Sequence, residues 1–205
     1  MKALLIIILT FYSYGSFAQT AYEKAMSEAL QLWEAGNSTE AAAKLERIAA
    51  AEKTQWLPSY YQALILITES FRATDATQRA QLIQRGNTII SQKSALGSSS
   101  EWLVLKALSL TSELTADPMN LGQKLSPKII ETYQQALKAD PENPRALSGL
   151  AEFQIQTKKF TGGNSDKEYK DLQKALSLYE KDQHKEPFYP TWGRDRAEAM
   201  IQKQP

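Results

Sequence analysis

Apolar residues recur at three- and four-residue spacing along almost the whole chain, and alternating runs of the strand type are scarce. That spacing keeps one face of a helix apolar, so it predicts an all-α protein. Ala25, Ala29, Leu32 and Trp33 form one stripe, and Ala41, Leu45 and Ile48 form a second. Between them, Gly36 is placed to end one helix, and Asn37 or Ser38 to cap the next. Two amphipathic helices joined so closely predict a helical hairpin.

The hairpin recurs. Ala29 and Ile48 lie 19 positions apart and another 15 lead to Ala63, a period of 34 residues that suits a solenoid of helix pairs. Carried along the chain, this register places a small residue of each first helix at Ala29, Ala63, Ala107 and Ala151. The partners on the second helices are Ile48, Gly86, Ala136 and Ala175. The separations within the pairs are 19, 23, 29 and 24, so the later hairpins carry extra residues between their helices. The expected repeats span about 22–55, 56–94, 100–143 and 144–186, followed by a cap over 187–205. In the cap, Pro187 and Pro190 break the chain, and Ala197 to Ile201 form a short amphipathic helix. Trp192 is expected against the open side of the fourth repeat, because a solenoid needs an atypical last element over its final apolar face.

The joint between the third and fourth hairpins is written most clearly. Pro141 stops one helix and Pro144 suits the first turn of the next. Tyr133, Ala136 and Pro141 have the spacing of the aromatic, alanine and proline that end a tetratricopeptide repeat. On these residues the chain resembles the tetratricopeptide repeat family over most of its length. From Glu101 onward it is similar to a group of exported bacterial tetratricopeptide-like proteins of unassigned function. The matching features are Ala116-Asp117-Pro118, Gly122, Asn143-Pro144-Arg145-Ala146, Phe160 with Gly162-Gly163, and Pro190-Thr191-Trp192-Gly193. The resemblance implies a right-handed helical-hairpin solenoid and a place outside the cytoplasm, and it attaches no activity.

The amino terminus changes the picture of location. Lys2 precedes an apolar run from Ala3 to Tyr12, and Ser16-Phe17-Ala18 offers small residues where a signal peptidase needs them. Cleavage is expected between Ala18 and Gln19. The run is shorter than the roughly 20 residues of a membrane span, so no transmembrane anchor is expected after cleavage. The mature chain is thus expected to be exported, either periplasmic or secreted. It has no cysteine, hence neither a disulfide framework nor a lipidation site behind the leader. Removing Lys2 from the 24 basic residues leaves 23 against 23 acids. That balance excludes the basic excess expected of a nucleic-acid partner.

Candidate chemistry is thin. His184 is the sole histidine and lies in the polar run Glu180 to Glu186, which points to a solvated side chain. Zinc sites built from Cys and His are excluded by count. The acids fall mostly on faces that a helical repeat leaves wet, such as those of Glu40, Glu46 and Glu131, and none is expected in an apolar setting. No catalytic residue, metal site or cofactor is therefore expected. Recognition has two candidate places. The first helices present Met26, Leu30, Tyr60, Leu64, Val104 and Glu152 towards a groove, and Arg145 of the joint either reaches a neighbouring carbonyl, the favoured reading, or lines that groove. The insertions offer Asp117 and Met119 in the third repeat, and Phe160, Gly162 and Gly163 in the fourth. In the simplest packing, Met119 and Phe160 close the edge from which both insertions emerge. The leading expectation is a non-catalytic protein-interaction module whose partner is an unknown envelope protein or peptide. The alternative is a binder of a small molecule or glycan through the insertion loops, and an enzyme acting on envelope polymers comes third.

Overall fold

A computed structural model describes residues 21–204, and the leader with its cleavage site lies outside the described residues. Nine helices and no strand occur among those residues. They are α1 (21–34), α2 (Ser38–Ala51), α3 (Leu57–Arg72), α4 (Ala76–Lys93), α5 (Ser99–Ala116), α6 (Pro118–Ala139), α7 (Pro144–Thr161), α8 (Asp166–Lys181) and α9 (Arg194–Gln202). The all-α, solenoid-like architecture is the one the periodicity predicts.

Local chemistry sets the helix ends. Asp75, Ser98, Asp117 and Asn143 each accept a backbone N–H two or three residues into the helix they begin, which satisfies a donor that lacks an intrahelical partner. Asn37 precedes α2 without such a bond, and the Ser38 hydroxyl instead donates to Glu69 Oε1 at 2.8 Å. The Pro-Glu-Asn-Pro joint is a tight turn: Asn143 N–H reaches the Asp140 carbonyl, and Pro144 opens α7. The insertion at 115–122 is not a loop. Asp117 alone interrupts the chain there, and Pro118 to Gly122 already belong to α6.

Helices α3 and α4, α5 and α6, and α7 and α8 pack as hairpins. The first helices α3, α5 and α7 also pack side by side, whereas α2, α4, α6 and α8 have no substantial packing on one another. The result is a continuous inner layer carrying a spread outer row. All eight register positions, Ala29, Ala63, Ala107, Ala151, Ile48, Gly86, Ala136 and Ala175, are buried. A Cβ on Gly86 would sit 3.0 Å from Ile67 Cγ1, so the α3–α4 crossing is as close as a small residue permits.

The carboxy-terminal residues divide in two. Helix α9 is the cap: Ala197 and Met200 join Ala151, Ile155, Tyr169 and Leu172 in one apolar cluster. Residues 182–193 go elsewhere, running as a strap across the first helices. Trp192 therefore does not cover the end of the fourth hairpin; it packs against the clusters of α3 and α5, and its Nε1–H donates to the Tyr60 hydroxyl at 2.9 Å.

Candidate functional site

The groove expected on the first helices is filled by this strap. Tyr61 donates to the Phe188 carbonyl at 3.0 Å, and Trp56 Nε1–H donates to Glu186 at 2.8 Å. Tyr22 meets Phe188 edge to face, and Tyr189 packs on Trp56. Phe188 adopts φ +64°, a left-handed conformation that an aromatic residue holds only when its surroundings impose it. Met26, Tyr60, Leu64 and Val104 are buried, and Leu30 is half-buried against the same core. Glu152 is half-buried and paired with Arg196 of α9 through two hydrogen bonds of 2.7 Å. None of these residues forms an open peptide groove; the chain's own strap covers the face of α3 and α5, and α9 covers Glu152.

Arg145 lies at the centre of that face with its side chain 1% exposed. It donates through Nε to Glu101 at 2.8 Å and pairs through NH2 with Asp182 of the strap at 2.9 Å. Glu101 also accepts from Tyr60 and from Asn143. A carboxylate with no exposure was not expected from the sequence, and its stability there follows from three charge-assisted or neutral donors replacing water. Burial opposes the Arg145 charge, but Glu101 and Asp182 outweigh it and hold the guanidinium firmly protonated. Burial likewise pushes the Tyr60 phenol well above its ordinary value. His184 is exposed, stacked on Tyr189 with ring centroids 3.4 Å apart, and its Nε2 lies 2.7 Å from Asp182. Arg145, Glu101, Tyr60 and Asp182 bind one another, so the cluster fastens the strap; one guanidinium nitrogen of Arg145 is buried without a partner, and only His184 is exposed to solvent.

Open space lies on the other side, where the outer helices spread. A cleft of about 880 Å³ runs between α4 and the start of α6 with the end of α5 as its floor. Smaller clefts of about 620 and 360 Å³ separate α2 from α4 over α3. The largest falls within the range of small-ligand sites, roughly 300–1,000 Å³. Ala76, Ala80, Ile83, Ala116 and Leu121 give it apolar walls, while Arg79, Glu113, Asn87 and Thr88 supply polar groups. Positions 76 to 91 of α4 line it, a run of about 22 Å at the helical rise of ~1.5 Å per residue. No group of three or more His, Cys, Asp or Glu side chains suited to a metal ion occurs among the described residues.

The insertions contribute unequally. Ala116 and Leu121 line the cleft, and Met119 stands between them in the chain, 79% exposed in the first turn of α6. Asp117 is the N-cap of that helix. Phe160, in the last turn of α7, is 75% exposed, and Gly162 and Gly163 continue from it with φ of +84° and +140°. These three do not line the cleft. The expectation that Met119 and Phe160 pack to close an edge is overturned, since both side chains face solvent. Arg79 was not singled out in the sequence. Its only signal there is a basic side chain four residues after Asp75, which is also what an ordinary solvated helix position looks like.

No family model matches the chain, and no curated protein matches it. Among solved structures, the fold is similar to that of the HusA haemophore from Porphyromonas gingivalis, with a TM-score of 0.79 at 24% identity, covering 90% of this chain and 95% of that one.

Proposed function

We propose that this chain is an exported, non-enzymatic carrier of a small, largely apolar molecule of the haem kind, held in the cleft between α4, α5 and α6. What carries the reading is the likeness of its fold, over nine-tenths of the chain, to a protein described as a haemophore. The cleft supports it by size and by the apolar side chains of Ala76, Ala80, Ile83, Ala116 and Leu121 set among polar ones. The filled first-helix face supports it too, because a peptide scaffold of the groove type has no free groove to use. No catalytic step is assigned: the buried acids Glu101 and Glu168 are engaged by Arg145 and Lys158 respectively.

The test is an absorbance titration of the chain from residue 19 onward with haemin. Saturable one-to-one binding is expected for the unaltered protein. It should be lost in Ala80→Trp, which places an indole in the cleft from an exposed helical position that tolerates the change. Absence of saturable binding to the unaltered protein, or binding untouched by Ala80→Trp, refutes the reading.

A further inference from the structure

Arg79 is the one basic side chain of the main cleft, and its bonding is incomplete. Its NH2 group donates to the carbonyl of Ala73, at the end of α3, at 2.7 Å. That bond fixes the guanidinium between the α3–α4 turn and the cleft. Its Nε–H is removed from water and has no acceptor. A guanidinium has five N–H donors in a rigid fork, and a donor left dry without an acceptor is a cost that a folded chain rarely leaves unanswered. Glu113 lines the same cleft from α5 but forms no ion pair with Arg79. Arg72, in the last turn of α3, is taken by Glu69.

We infer that Arg79 receives an acid group of the ligand, a carboxylate, while the ligand's apolar body lies along Ala80, Ile83, Ala116 and Leu121. This rests on the carrier reading above and adds to it the polarity of the bound molecule. The fork geometry of Arg matches the two oxygens of a carboxylate, whereas an uncharged polar group could answer only one donor. Arg79 lies towards the hairpin tips, as do Ala76, Ala116 and Leu121, so the acid edge is placed at that end of the cleft.

The experiment compares haemin with its dimethyl ester, in which the acid groups are blocked, on the unaltered chain, Arg79→Gln and Arg79→Lys. The unaltered chain should prefer haemin. Arg79→Gln should weaken haemin about tenfold, as for loss of one charge-assisted pair, and leave the ester unchanged. Arg79→Lys should restore part of the loss. Equal haemin affinity in Arg79→Gln, or an equal loss for the ester, overturns the inference while leaving the carrier reading in place. A parallel titration with palmitate separates the two claims in the other direction. If haemin fails to bind but palmitate binds and depends on Arg79, the haem reading falls and the carboxylate site stands. If neither ligand binds, both fall.

Discussion

At the scale of single residues, the decisive arrangement is the pairing of Arg145 with Glu101. Both are shielded from water, and each compensates the other's desolvation. Removing one leaves a buried charge without its counterpart, which costs about 3–5 kcal/mol in other proteins. Arg145→Ala should therefore lower the unfolding free energy by about that amount in a denaturant titration. Arg145→Met combined with Glu101→Met should recover only part of this, because the apolar pair removes the unpaired charge but leaves Tyr60, Asn143 and Asp182 without the partners they have in the parent. A single variant as stable as the parent would show that the pair contributes nothing to the fold. The register of small residues from Ala29 to Ala175 was legible because burial along a helix is a periodic, local property. Glu101 was not legible: its partners Tyr60, Asn143 and Arg145 stand 41, 42 and 44 positions away on other hairpins. Nothing in its immediate neighbourhood distinguishes it from a solvated acid.

Among the elements, the strap over 182–193 is the piece whose place could not be read from its own sequence. Its prolines and aromatics announce irregular, apolar chain, and the sequence offers two faces to cover, the end of the stack and the first-helix layer. The structure gives the first to α9 and the second to the strap. Much of its fastening is phenolic. Tyr189 of the strap is pushed up to about 12 by burial, with Glu101 adding to it. Tyr179 packs against the strap at Gly193, where an added Cβ would lie 2.4 Å from its hydroxyl, and it is raised to about 12, again first by burial. A raised phenol pKa means that the folded state prefers the neutral form. The contribution is complete below the unfolded value near 10 and disappears as pH climbs towards 12. The melting temperature should accordingly be flat up to about pH 10 and fall beyond it. Phenolate absorbance should rise together with the loss of fold rather than ahead of it. A phenolate signal near pH 10 in the still-folded protein that disappears in Tyr189→Phe would show that the strap is open to water.

On the scale of the whole molecule, the inner layer is sealed by the chain itself and the outer row is left spread, so the open clefts lie away from the face where a helical-hairpin solenoid usually offers a groove. The all-α class follows from composition and period, but the cleft follows from spacing between helices that never pack on each other. That spacing depends on the 22-residue length of α6 and on how the first helices underneath are set, neither of which a local pattern records. The two faces make opposite predictions for ligand-linked stability. A molecule that binds only the folded state at a hundred times its Kd stabilises by about 2.7 kcal/mol, which for a chain of this size raises Tm by roughly 5–10 °C. Haemin in that excess should produce this rise in the unaltered protein. It should also do so in Tyr189→Ala, which loosens the strap but leaves α4 and α6 untouched, measured against that variant's own lower baseline. Ala80→Trp should melt like the parent without ligand and gain nothing with it. A rise that survives Ala80→Trp but changes in Tyr189→Ala would move the site to the first-helix face and make the strap, with its strained Phe188, the element that a ligand must displace.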